Sequence, residues 1–165
     1  MIADPVTIDF TQARTEGEAR QRVHEVNGTP RFFKDSAYED TLGVAAELAF
    51  AQWSGLDANM DVLPAGDGGQ DFAFSLGGRT LSVDVKAAKK PFHLLLKKHE
   101  AARAADILVL SGVDGDKVWF LGWEHASLMR VSPARDFGYG IVNHYRHYSE
   151  LRPMWQLKDL IDRRD

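Results

Sequence analysis

The sequence predicts a single mixed α/β domain. Three observations indicate this class: one long amphipathic helix, two hairpin signals between strand-like segments, and a short apolar segment typical of a buried strand. The 165 residues suffice for one domain with a sizeable core, and no repeat or low-complexity linker divides them. We therefore expect residues 1–165 to form one domain.

The N-terminal 38 residues give few structural signals. Residues 15–23 suit a short polar helix, and residues 27–30 suit a turn. From about residue 38 to 54, apolar side chains recur at three- and four-residue spacing, which predicts an amphipathic helix ended by Gly55. Glu47 lies mid-helix among small and apolar residues, so it either faces inward toward a site or is an exposed helix glutamate.

The middle of the chain is predicted to form strands joined by tight turns. Residues 72–76 and 80–86 are strand-like, and Gly77-Gly78 between them is a two-residue hairpin signal. Residues 106–110 are apolar on both faces, as in a buried strand. Asp114-Gly115 predicts a second hairpin. The other expected elements are a strand at 61–63, a helix at 97–105, a strand at 117–123, a helix at 124–130, a loop at 132–140, a strand or irregular segment at 141–148 and a helix at 157–163.

Asp84 and Lys86 are expected on one face of the second strand. Side chains alternate along a strand, so Val83 and Val85 point to the other face, where they can be buried. Asp71 opens the preceding strand, and an adjacent strand could bring it to the same place. Two carboxylates with a lysine between them suit a hard cation and metal-assisted phosphodiester hydrolysis.

Composition and charge narrow the function classes. The chain has no cysteine, which excludes disulfides and thiolate metal sites, and no apolar segment approaches the ~20 residues of a spanning helix. The first residues do not resemble a secretory signal, so we expect a cytoplasmic protein with no membrane partner. A net charge of −4 argues mildly against a protein that coats nucleic acid.

A basic segment follows the two aspartates. Residues 79–103 carry seven lysines and arginines against two acids, a local balance of +5. Such a segment suits an anionic polymer that approaches a bound metal, although a solvated surface is the alternative. The candidate phosphate contacts are Lys89, Lys90, Lys97 and Lys98. His144 and His147 offer two imidazoles, but no suitable third ligand favours zinc.

The order of these features resembles the PD-(D/E)xK nuclease superfamily. A helix with Glu47 precedes Gly68-Gly69-Gln70-Asp71, and a strand with Asp84-Val85-Lys86 follows. The glycine-rich turn is similar to that of Mrr-type restriction endonucleases and of archaeal and phage junction-resolving enzymes. The resemblance covers about residues 40–112. The proline of the family name is absent, since Gln70 stands before Asp71, and aspartate replaces the usual glutamate at position 84.

The resemblance implies a restriction-endonuclease-like core, a central mixed β-sheet flanked by helices, over about residues 40–123. A C-terminal extension would occupy about residues 124–165. It implies a Mg²⁺-dependent endodeoxyribonuclease in which Mn²⁺ can substitute, with DNA as partner; a homodimer is compatible with it. The implied catalytic residues are Glu47, Asp71, Asp84 and Lys86, and the implied metal ligands are Asp71, Asp84, Glu47 and the backbone carbonyl of Val85.

Structure-directed cleavage in recombination, repair or phage DNA processing is the expected activity, because the sequence contains no separate recognition domain. Two alternatives stay open: a non-cleaving nucleic-acid-binding or assembly protein that keeps the fold, and a small-molecule-binding protein in which the motif is coincidental. Mutual repulsion of the acids further predicts that Mg²⁺ or Mn²⁺ stabilises the protein.

Overall fold

The computed structural model describes residues 2–26, 36–58 and 70–165, apart from the side chains of residues 20–26 and 36–39. Three predicted features lie outside the described residues: the turn at 27–30, the strand at 61–63 and the glycines before Gln70.

The described residues form eight strands and four α-helices. In chain order these are β1 (Val6–Thr7), α1 (Phe10–Val26), α2 (Ser36–Ser54), β2 (Phe72–Leu76), β3 (Arg79–Ala87), β4 (His93–Lys97), β5 (Ile107–Asp114), β6 (Lys117–His125), α3 (Ala126–Met129), β7 (Ala134–Asp136), β8 (Val142–His147) and α4 (Met154–Asp162). Two 3₁₀ helices occupy Lys98–Arg103 and Tyr148–Glu150. None of the described helices is long and apolar enough to cross a membrane.

The strands form two sheets. The main sheet has the order β1-β6-β5-β3-β2, in which β3 and β5 are parallel and the other pairs are antiparallel. The small sheet is antiparallel, in the order β4-β8-β7. The main sheet is curled and flanked by helices, which confirms the predicted mixed central sheet.

Local signals explain the first helices and hairpins. Asp9 caps α1, because its Oδ1 accepts a hydrogen bond from the Thr11 N–H at 3.0 Å. Gly17 allows α1 to approach α2, since a Cβ there would lie 2.6 Å from Thr41. The predicted end of α2 is confirmed at Gly55, whose φ is +71°. The hairpin at Gly77-Gly78 is also confirmed, with positive φ at both glycines.

Alternation along the strands separates two cores. One face of the main sheet packs against α1, α2 and α4 through Phe72, Val83, Val85, Ile107, Val109, Ala13, Phe50 and Leu157. The opposite face carries Leu108 and Leu110, which pack with Leu94, Leu96 and Met129 between the two sheets. The predicted two-sided burial of the 106–110 strand is confirmed for residues 107–110, which are fully buried.

Several predicted boundaries are wrong, mostly in the C-terminal half. β4 and β7 were not expected, and the helix predicted over 97–105 is the 3₁₀ helix Lys98–Arg103. The helix predicted over 124–130 is only α3, because pairing of β6 with β5 continues to His125. The second hairpin turns at Gly115-Asp116, one residue later than predicted, since Asp114 pairs with Lys117. α4 begins three residues earlier than predicted, directly after Pro153.

Candidate active site

Asp84 and Lys86 lie on one face of β3, in the interior of the main sheet between β2 and β5. Their side chains form an ion pair between Asp84 Oδ2 and Lys86 Nζ. The Asp84 side chain is 9% exposed, whereas the Lys86 side chain is 41% exposed. The strand therefore presents a buried carboxylate and a lysine that reaches solvent, and Val83 and Val85 point into the core as predicted.

Asp71 is brought to the same place by an irregular hydrogen bond. Its N–H donates to the Val83 carbonyl at 2.9 Å, although Phe72 is the register partner of Val83. Its carboxylate then turns toward β3, and Oδ2 accepts a hydrogen bond from the Val85 N–H at 2.7 Å. That N–H belongs to the peptide bond that follows Asp84. The buried Asp71 carboxylate thus lies against the Asp84-Val85-Lys86 segment.

Hydrogen bonds of two serines join β3 to β5 and to the residue before it, on either side of Asp84. Ser82 and Asp106 are joined by three hydrogen bonds: Asp106 Oδ2 accepts from the Ser82 N–H at 3.0 Å and from its hydroxyl at 3.1 Å, and the Asp106 N–H donates to Ser82 Oγ at 3.0 Å. The buried Ser111 hydroxyl donates to the Lys86 carbonyl at 3.0 Å. These contacts fix the register on either side of Asp84, and sequence reasoning missed them. The one available signal was a serine directly after the apolar run of β5.

Glu47 is buried in α2 at 4% exposure, which excludes the exposed-glutamate alternative. However, α2 packs on the Val83 and Val85 face of the main sheet, opposite to Asp84. The described residues, which include these three acids, contain no group of three or more histidine and acidic side chains that could hold a metal ion. The structure therefore brings Asp71 to the segment that carries Asp84 and Lys86, and it places Glu47 on the helix that packs on the other face of β3.

The two aspartates have the donor chemistry for a hard cation. Mg²⁺ prefers oxygen ligands, keeps several waters and is commonly held by one or two carboxylates together with substrate phosphate. Asp71 and Asp84 supply two carboxylates whose positions are set by the Val85 N–H and by Lys86. The residues present fit a two-carboxylate magnesium site better than a closed cage of protein ligands.

Lys89 and Lys90 border a cavity at the end of β3. The cavity measures about 470 Å³ and has an apolar wall that includes Phe92 and Trp119. The Phe92 ring packs directly over Gly112, where a Cβ would lie 3.2 Å from the ring. The cavity thus combines two lysine side chains with aromatic walls. Its lysines follow Lys86 by three and four residues in the chain.

The other two candidate phosphate contacts lie at the far end of β4. Lys97 Nζ lies 3.3 Å from Glu100 Oε1, and Lys98 begins the adjoining 3₁₀ helix. The five residues of β4 separate this pair from the cavity by about 13 Å at the usual strand rise. The four predicted lysines therefore form two separate pairs, both accessible to solvent.

A buried ion cluster connects the two sheets. Glu124 of β6 is 2% exposed, and its Oε2 accepts from Arg146 at 2.8 Å while its Oε1 accepts from Arg152 at 2.9 Å. Both arginines are thus engaged in ion pairs within the protein. His144 and His147 point to opposite faces of β8, and the buried His144 Nδ1 lies 3.0 Å from the Ser132 carbonyl oxygen. This separation argues against a zinc site formed by the two imidazoles.

Comparison of the chain with protein-family models, with curated proteins and with solved structures gives no significant match.

Proposed function

We propose that the chain is a Mg²⁺-dependent endodeoxyribonuclease with a restriction-endonuclease-like core, which cuts DNA according to its structure. The observation that carries the proposal is the hydrogen bond from the Val85 N–H to Asp71. The bond holds the buried Asp71 carboxylate against the backbone between Asp84 and Lys86, which supports a site formed by the three side chains. This combination suits metal-assisted phosphodiester hydrolysis, because it offers oxygen ligands for a cation and a positive charge beside them.

Each side chain of the site has a separate task in this proposal. Asp71 and Asp84 would hold Mg²⁺, which when bound polarises the phosphate and lowers the pKa of a bound water. Lys86 is an ammonium in its ion pair with Asp84, so it is a donor without an acceptor site. It therefore suits binding of a phosphoryl oxygen and neutralisation of charge in the transition state, rather than removal of a proton from water.

The surroundings of the site support an anionic polymer as substrate. Lys89 and Lys90 lie on the loop that follows β3, within three or four residues of Lys86 in sequence and beside the 470 Å³ cavity. Phosphate contacts of this kind position a nucleic acid without reading its sequence. They agree with structure-directed rather than sequence-directed cleavage.

The proposal is tested by cleavage of single-stranded, duplex, flapped and four-way-junction DNA in EDTA, Mg²⁺ or Mn²⁺. We expect metal-dependent cleavage by the wild type that Asp84→Ala and Lys86→Ala abolish. The chain offers a matched control, since Lys158 and Asp162 form an exposed ion pair on α4. Lys158→Ala and Asp162→Ala should leave cleavage unchanged. Folded protein that cuts none of these substrates with either metal would refute the proposal.

A non-cleaving nucleic-acid-binding protein is the second candidate. One observation favours it: Asp71 and Asp84 already have partners in the Val85 N–H and Lys86, and Glu47 does not complete a three-acid group. This candidate predicts DNA binding that is unaffected by divalent cations and that persists in Asp84→Ala. Metal-dependent cleavage in the assay above would exclude it.

A further inference from the structure

The small sheet presents a cluster of rings on its outer face. Leu94, Leu96 and His144 point inward to the main sheet, so the alternate residues of β4 and β8 point outward. The ring cluster on this side comprises His93, Phe137, Tyr145, His147 and Tyr148, all half-exposed or exposed. The outer face of the small sheet is therefore rich in aromatic and imidazole rings.

The rings touch one another in a continuous series. The His93 centroid lies 5.5 Å from that of Phe137, 5.6 Å from that of Tyr145 and 5.6 Å from that of His147. His147 contacts Tyr148 at 4.4 Å. At these distances neighbouring rings hold one another in tilted or edge-to-face geometry. The cluster is a preformed surface whose rings are partly open to solvent.

Arg135 extends this surface with a positive charge. Its guanidinium carbon lies 4.2 Å from the centroid of Phe137 and 5.2 Å from that of Tyr145. No ion pair to Arg135 exists among the described residues. The neighbouring Asp136 directs its carboxylate to the N–H groups of residues 138–140 at 2.8–3.1 Å instead. The guanidinium thus lies against two rings that are nearly perpendicular to each other, with its N–H donors available to an anion.

The ring cluster is continuous with the cavity at the end of β3. Tyr148 packs edge-to-face on Phe92, a wall of that cavity, with centroids 6.3 Å apart. The Phe92 carbonyl also accepts a hydrogen bond from the Tyr148 N–H at 3.1 Å. A nucleic-acid strand that extends from the cavity along this surface therefore contacts the aromatic rings first and the Arg135 guanidinium last.

A surface of aromatic rings beside a cationic side chain offers the interactions that single-stranded DNA uses. Unpaired bases stack on aromatic side chains whatever their identity, and the phosphates between them need donors such as arginine. A duplex cannot use the rings, because its bases are already stacked and paired. We infer that the ring cluster with Arg135 binds single-stranded DNA, holding an unpaired strand of the substrate beside the cavity at the end of β3.

This inference rests on the proposed function, because the bound strand is taken to be part of the nuclease substrate. Binding of DNA can nevertheless be measured without cleavage. Fluorescence anisotropy in EDTA with a labelled oligothymidylate of about 15 nucleotides reports binding alone. Tyr145→Ala should weaken binding about tenfold through loss of one stacked base. Arg135→Gln should weaken binding and reduce the slope of log K against log salt by about 0.7, the change for one phosphate contact on a single strand.

Matched controls lie on α4 and at its end, on the other side of the main sheet. Trp155→Ala removes an aromatic ring that is 63% exposed, and Arg163→Gln removes an exposed arginine. Both should bind the oligonucleotide as the wild type does. Melting temperatures identify any unfolded variant, and Arg135→Gln, which changes an exposed side chain, keeps the test valid if Tyr145→Ala does not fold.

The inference is overturned if the wild type does not bind the oligonucleotide at about 50 mM salt, or if Arg135→Gln and Tyr145→Ala both bind like the wild type. Equal losses of duplex and single-strand binding would also contradict it, because general electrostatics would then explain both. Sedimentation that shows a dimer dissociated by Tyr145→Ala would assign the surface to a second copy of the chain. Mg²⁺-dependent cleavage separates the two proposals, since failure to cleave with binding intact refutes only the proposed function.

Discussion

Replacement of Asp71 by alanine tests whether this carboxylate holds the strand that carries Asp84 and Lys86. The variant leaves the Val85 N–H without its 2.7 Å acceptor. Hydrogen bonds to charged groups contribute about 1.5–3 kcal/mol, and an unsatisfied buried donor costs about 1–3 kcal/mol. Repulsion by Asp84 does not offset this loss, because Asp84 is paired with Lys86. We expect a loss of about 2 kcal/mol in the free energy of unfolding.

Urea and thermal denaturation measure this loss. For a domain of this size about 2 kcal/mol corresponds to a decrease of about 4–8 °C in Tm. Asp71→Asn keeps an acceptor oxygen and should lose about half as much, while losing cleavage activity as completely as Asp71→Ala. Asp116→Ala, which removes an exposed aspartate in the β5–β6 turn, is the control and should stay within about 0.5 kcal/mol of the wild type. An Asp71→Ala protein as stable as that control would refute the reasoning.

Two further predictions concern stability. Glu124→Ala removes the buried partner of two arginines and should lower the free energy of unfolding by about 3 kcal/mol in chemical denaturation. Its control Glu100→Ala breaks an exposed pair and should lower that free energy by less than about 1 kcal/mol. Equal losses in the two variants would contradict the stabilising role of the buried cluster. Burial, followed by the charges of His147 and Arg135, lowers the pKa of His93 below 6.5. The folded state therefore binds that proton less readily than the unfolded state, so stability is lost as the pH falls from about 6.5 through the folded pKa. The Tm of the wild type should drop more between pH 7.5 and 5.5 than that of His93→Gln, and parallel curves would exclude this contribution.

Local patterns were sufficient for α2, the Gly77-Gly78 hairpin and the buried run of β5. Each is specified within a few residues, by helical spacing ended at Gly55, by a two-glycine turn or by a short apolar segment. The sequence does not predict β4, because its partner β8 lies about fifty residues later in the chain and no local pattern indicates that pairing. Residues 124–125 have the local character of a helix start, but pairing with β5 keeps them in a strand.

The candidate site was likewise predictable where it depends on one strand and not where it depends on contacts between elements. Alternation along β3 placed Asp84 beside Lys86, because this relation lies within one strand. The contact of Asp71 with the Val85 N–H depends on an irregular hydrogen bond between two strands, which no spacing in the sequence specifies. The sequence leaves the inward and exposed orientations of Glu47 both open, because burial of its side chain and the face on which α2 packs are decided by the tertiary fold.

The most direct test of the central claim is calorimetric titration of Mn²⁺ into the wild type and into Asp71→Asn, Asp84→Asn and Asp162→Asn. The claim is that Asp71 and Asp84 form one cation site beside Lys86. It predicts one site in the wild type, retained in Asp162→Asn and lost in both of the other variants. Mn²⁺ binding of equal affinity in all four proteins would contradict it.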